Sequence, residues 1–140
     1  GLIVGGTCST CQNLQSLGLP NGSRVNPTTI GVDSAFGSKL KALNNTLIAS
    51  NVNWNITEGY PPSSAHQDSC HASGTCVDAS LGQNPSSSSF NTFYTATQSK
   101  GLNATLDVQN QAQKDALIKS GGTVPIPTND KATGTHFHIK

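Results

Sequence analysis

The sequence predicts an α+β domain, built on a small, mostly antiparallel sheet flanked by helices and preceded by an irregular N-terminal arm. Three observations predict it. Apolar residues recur at helical spacing in separate stretches, short alternating runs lie between them, and the order lacks the regular strand–helix–strand alternation of a parallel sheet. At 140 residues the chain has the length of one domain with one modest core. The arm or linker is expected over residues 1–37 and the folded domain over 38–140.

The first stretch carries turn formers (Gly5-Gly6, Pro20-Asn21-Gly22, Asn26-Pro27) between short apolar pieces, so it reads as an irregular arm or a short strand. From Ser38, a plausible N-cap, Leu40, Leu43, Leu47 and Ile48 recur at helical spacing. Val52, Trp54 and Ile56 then alternate with Asn53, Asn55 and Thr57 in a strand running to Tyr60, where Pro61-Pro62 stops it. A loop holding His66 and His71 leads to the β-prone run Thr75-Cys76-Val77. Ser86 to Ser89 reads as a surface loop, Phe90 to Lys100 as a helix ended by Gly101, and Ala104 to Val108 as a strand. Gln109 to Ser120 reads as a third helix, with Ala112, Ala116 and Leu117 on one face and Gly121-Gly122 as its stop. Thr135 to Lys140 is the last strand.

Composition narrows the function classes. The net charge is +1, and the basic residues are Arg24 and seven well-spaced lysines. Without a basic patch, nucleic acid and anionic membranes are poor partners. The longest apolar stretch, Leu2-Ile3-Val4, falls far short of the roughly 20 residues needed to span a bilayer. A chain starting at Gly1 with no methionine reads as a processed product or a fragment. The abundance of Ser, Thr, Asn and Gly, with an even set of four cysteines, favours disulfides in an oxidising, extracellular, periplasmic or cell-surface setting. Local pairs, Cys8 with Cys11 and Cys70 with Cys76, are preferred. The rival is a four-cysteine zinc knuckle, against which stands the wide spacing of the second pair. Sequons at Asn21, Asn44, Asn55 and Asn103 permit glycosylation in a eukaryote and are expected by chance in an Asn- and Thr-rich bacterial chain.

All four histidines fall in two short segments. In the final strand His136 and His138 are two apart and project from one face, while Phe137 and Ile139 point to the core. The bland alternative is a solvent-exposed pair near a chain end. In the other segment, Ser69-Cys70-His71-Ala72-Ser73-Gly74-Thr75-Cys76-Val77-Asp78, the offset of seven between His71 and Asp78 puts them on opposite faces of a straight strand. Gly74 supplies the turn that brings Asp78 back toward His71. Taken alone, His71 is a polar loop residue and Asp78 a turn or helix cap. Taken with the paired histidines, two imidazoles and a carboxylate make a zinc set with the fourth position open. A Cys70–Cys76 bond would staple this loop.

The spacing Ser-x-His-x-x-Gly-x-x-x-Asp resembles the first zinc motif of the D-Ala-D-Ala carboxypeptidases, the penicillin-insensitive murein endopeptidases and the hedgehog signalling domain. The closing Gly134-Thr135-His136-Phe137-His138-Ile139 is similar to their terminal His-x-His strand, whose second histidine binds the metal. Trp54 to Tyr60 resembles the strand that ends in a Ser-Gly-Tyr-Arg turn. The likeness covers roughly Ser38 to Lys140 and has Cys76 where alanine is usual. It implies a zinc metallopeptidase acting on peptidoglycan peptides, with His71, Asp78 and His138 as metal ligands and Ser69 and Tyr60 lining the substrate site.

Two departures bear on chemistry. The family's general base is a glutamate or an extra histidine just before the last ligand; here Glu58, the only glutamate, lies in another segment, so His136 is the expected base, ahead of Asp130. Pro61 stands where the resemblance places an arginine for the substrate carboxylate, and Arg24 lies outside the matching region. A lost arginine points toward an endopeptidase on crosslinked stem peptides. The competing function is an inactive surface, adhesion or assembly module that keeps the metal, with the apolar N-terminal arm building a homo-oligomer by strand addition. A redox role for Cys8-x-x-Cys11 lacks the thioredoxin-like pattern around it.

Overall fold

In the last strand every second side chain is buried, and that alternation sets which face of the sheet holds the core. The computed structural model describes residues 8–61, 70–81, 87–107 and 136–140. Four strands, β3 (Asn55–Glu58), β4 (Val77–Ser80), β5 (Ala104–Asp107) and β6 (His136–Ile139), form an antiparallel sheet in the order β3-β4-β6-β5. Ile56, Val77, Ala79, Ala104, Leu106, Phe137 and Ile139 share its buried face. Mutual backbone hydrogen bonds between Asn103 and Lys140 carry the β5–β6 pairing to the end of the chain.

Helices α2 (Ser34–Ala49) and α4 (Ser87–Ser99) supply the other half of the core. Leu40, Leu43 and Leu47 from α2 and Phe90, Phe93 and Ala96 from α4 belong to one buried cluster with the sheet residues. Phe93 lies 4.4 Å from Phe137 and 5.7 Å from Trp54 between ring centroids, within the range where aromatic pairs attract. The Trp54 indole nitrogen donates to Asn44 Oδ1 at 2.9 Å, so the one polar atom of that buried ring is satisfied.

The expected α+β class holds, with several boundaries moved. Helix α2 starts at Ser34, because Asp33 is the better cap: its carboxylate accepts from the Phe36 amide at 3.0 Å, while Ser38 Oγ donates to Ser34 O inside the helix. Ile48 is 67% exposed on its solvent side, so of the four residues read as the helical stripe only the three leucines are buried, joined by Phe36 in the first turn. Strand β3 is shorter than the alternation of 52–60, although Val52, Trp54 and Ile56 are all buried as that pattern requires. Ser87 to Ser89 form the first turn of α4 rather than a loop. A one-turn helix, α3 (Cys70–Ser73), carries His71 where a loop is expected. The helix expected over 109–120, together with Leu2 to Val4, His66, Ser69 and Asp130, lies outside the described residues.

The stretch before Ser38 is more than an arm. It folds as β1 (Cys11–Asn13), α1 (Leu14–Leu17) and β2 (Gly31–Asp33), with β1 and β2 antiparallel. Leu14, Leu17, Leu19, Val32 and Phe36 enter the same buried cluster as the sheet and helices. Their apolar spacing is too irregular to show either period, which is why the sequence conceals them.

Candidate metal centre

Opposite the core, the sheet presents a row of polar side chains. Antiparallel partners directly across from each other share a face. In register, Glu58 opposes Asp78, Asp78 opposes His138 and His138 opposes Thr105, so one row crosses all four strands. His136 is two residues along β6 on the same side and half-buried like His138, while Phe137 and Ile139 are buried on the other face. Asp107 is its register partner on β5.

Asp78 Oδ1 and His138 Nδ1 approach to 3.1 Å across 60 residues of sequence. The side chains are 18% and 22% exposed, buried enough to be oriented and open enough to be reached. Two ligands at 2.0–2.1 Å from a tetrahedral ion are themselves about 3.3 Å apart, so this separation suits neighbouring corners of one site as well as a hydrogen bond. Asp78 is thus a strand residue facing a histidine rather than a cap.

The segment bearing His71 is held beside this pair by two devices. The Cys70–Cys76 disulfide joins the start of α3 to the approach of β4, and the Thr75 amide donates to Cys70 O at 2.9 Å. The Cys70 sulfur lies 3.9 Å from His138 Nε2. Gly74 makes the reversal at φ +74°, with its carbonyl accepting from the Asp33 amide at 2.9 Å. A Cβ there would run into Cys11 Sγ and stand 2.8 Å from the Asp33 nitrogen and 2.9 Å from Cys8 Sγ. The N-terminal disulfide, Cys8–Cys11, is therefore seated on the turn of the motif. Both cysteine pairs are the local ones, which closes the knuckle reading while the disulfides stand.

No protein-family model, curated protein or solved structure matches this chain. The chemistry of the site rests on its own residues. Among the described residues, Cys70, Cys76 and His138 form a group whose ligand atoms lie within 4.8 Å of one another, but its two sulfurs are bonded to each other and offer no thiolate. Disulfides of this kind persist in oxidising surroundings. No helix among the described residues is long and apolar enough to cross a membrane.

Two residues that the sequence sets aside stand near the row. Glu58 looks remote in sequence, but a bulge between Ile56 and Glu58 brings it opposite Asp78. Arg24, Glu58, Gly59 and Pro61 line one small recess, so the only arginine reaches the turn after β3 from the N-terminal stretch. No sequence signal marks either placement, since both depend on strand register and on a long-range loop path. Tyr60 is fixed through its backbone: its amide donates to Gly31 O at 2.9 Å and its carbonyl accepts from the Gly31 amide at 2.7 Å.

Proposed function

We propose that this chain is an exported zinc-dependent peptidase acting on peptide crosslinks or D-Ala-containing stem peptides of the bacterial cell wall. The carrying observation is the Asp78–His138 approach on the half-buried face of β4 and β6, beside the stapled segment that bears His71. His71, Asp78 and His138 would hold the ion. Zinc so held would supply Lewis acidity toward the scissile carbonyl and toward water.

The remaining work falls to the chain's own groups. His136, on the face of β6 that carries His138, accepts the proton of the attacking water, as a neutral imidazole does well near neutral pH. Glu58, at the β3 end of the row, is the second candidate base. Ser69 and Tyr60 contribute to substrate binding, and Arg24 restores a cation at the turn where Pro61 removes one. A second reading, a metal-holding surface or assembly module without turnover, draws on the same Pro61.

The test is digestion of crosslinked peptidoglycan by the zinc-loaded chain, with products read by mass spectrometry. New peptide termini are expected, absent after chelation and in Asp78→Asn and His138→Ala. Loss of the base lowers the rate about 10²- to 10⁴-fold, so comparing His136→Ala with Glu58→Gln identifies it. Stoichiometric zinc with no products would leave the module reading; a chain that binds no zinc would sink both.

A further inference from the structure

The imidazole of His138 has two differently furnished edges. Nδ1 faces the carboxylate of Asp78 at 3.1 Å, and Nε2 faces the sulfur of Cys70 at 3.9 Å. When Nδ1 carries the ring proton and donates it to Asp78, the lone pair of Nε2 is directed to the sulfur side. Metal-binding histidines are commonly oriented in this way, with one nitrogen on the ion and the other donating to a carboxylate.

We infer that reduction of the Cys70–Cys76 disulfide creates a second metal site, in which Cys70 Sγ, Cys76 Sγ and His138 Nε2 bind a soft divalent ion such as zinc. The three ligand atoms already lie within 4.8 Å of one another. In a tetrahedral site with metal–sulfur bonds of about 2.3 Å, a sulfur and a nitrogen stand about 3.6 Å apart, close to the distance seen here, and two sulfurs about 3.8 Å apart. The sulfur–sulfur spacing must open, and Cys76 Sγ, which lies within 4.8 Å of Nε2, must settle at the sulfur–nitrogen spacing. With the two Cα atoms 5.3 Å apart, rotation about the Cα–Cβ bonds can do this without moving the backbone. The five residues between the cysteines, too many for a knuckle on spacing alone, are taken up by α3 and the Gly74 turn.

The redox step balances with a dithiol reductant. Its thiolate attacks the sulfur of half-buried Cys70, the accessible one since Cys76 is fully buried, and the protein takes up two electrons and two protons while the dithiol closes to its own disulfide. Metal binding then releases both thiol protons to solvent. Thiolates favour zinc over harder ions. Because both donor sets use the ring of His138, metal held by the sulfurs withdraws His138 from the Asp78 set, and the redox state of one disulfide decides which set is complete.

The test is anaerobic cobalt(II) titration of the whole chain, oxidised and after reduction by a water-soluble phosphine, which takes oxygen from water and leaves two thiols. In the reduced protein one equivalent of cobalt is expected to produce the near-ultraviolet sulfur-to-cobalt charge-transfer band, which the oxidised protein lacks. The band should vanish in Cys70→Ser/Cys76→Ser and in His138→Ala, and persist in Cys8→Ser/Cys11→Ser. Asp78→Asn should keep it with affinity weakened about 10- to 100-fold. If the Cys8→Ser/Cys11→Ser variant does not fold, the difference between wild type and Cys70→Ser/Cys76→Ser decides. Absence of the band, its survival unchanged in His138→Ala, or its dependence on Cys8 and Cys11 instead overturns the inference. Zinc binding by the oxidised chain is a separate measurement, so this site and the peptidase reading can fail independently.

Discussion

Asp33 and Gly74 show how much of the candidate site depends on residues outside it. Asp33 caps α2, and a hydrogen bond from Thr10 Oγ1, followed by that from the Phe36 amide, holds its carboxyl below the ordinary value of 3.8. Because the group is more acidic folded than unfolded, its stabilising contribution is fully present above about pH 4 and is lost as pH falls through the lower folded value. Asp33→Asn, which can still cap, should therefore flatten the acid limb of stability in denaturant melts taken from about pH 6 to about pH 2, and Asp33→Ala should lose about 1 kcal/mol at neutral pH. An unchanged acid limb in Asp33→Asn would refute this. At Gly74, the left-handed backbone and the crowding by Cys11 Sγ act together. Gly74→Ala should cost of order 1–3 kcal/mol and weaken zinc binding, measured by chemical denaturation and by calorimetric titration of the same sample.

At the scale of elements, β6 joins the core to the site. Phe137 and Ile139 anchor it against the aromatic cluster on one face, and His136 and His138 stand on the other. Phe137→Ala should lose about 3–5 kcal/mol, a large part of a small domain's stability, and remove zinc binding although its side chain is on the face opposite the proposed ligands. His136→Ala, a half-buried change on the same strand, should shift stability by no more than about 1 kcal/mol. Equal losses in thermal melts of the two variants would contradict the two-faced role of this strand. The alternation in His136 to Ile139 was readable in advance because a period of two is local. The start of α2 was not, because a leucine stripe marks where a helix is buried and leaves the choice of cap between Asp33 and Ser38 to their surroundings.

For the whole molecule, the polar row from Glu58 through Asp78 and His138 to Thr105 exists only when four strands from distant parts of the chain assume one register. A ligand that binds the folded chain and not the unfolded one raises stability by mass action, by about 2.7 kcal/mol at a hundredfold excess over its Kd. Zinc should therefore raise the melting temperature of the oxidised protein, and a chelator should reverse the shift. The increase should disappear in Asp78→Asn and His138→Ala. A rise that survives both substitutions would place the ion elsewhere.

By itself the sequence determined the fold class and the two faces of β6, favoured the local cysteine pairs, and singled out Asp78 and His138 as candidate ligands without fixing the register that sets one across from the other. These follow from short-range periods, from close spacing, and from the chemistry of a few scarce residue types. Only the tertiary structure decided that residues 11–36 belong to the core and that a disulfide near the N-terminus supports the Gly74 turn. It also decided that Glu58 stands beside Asp78, with Arg24 at the turn that follows. Those placements arise from a bulge, a strand register and long-range contacts between irregular segments, and no local pattern in a chain encodes which distant residue will lie across from it.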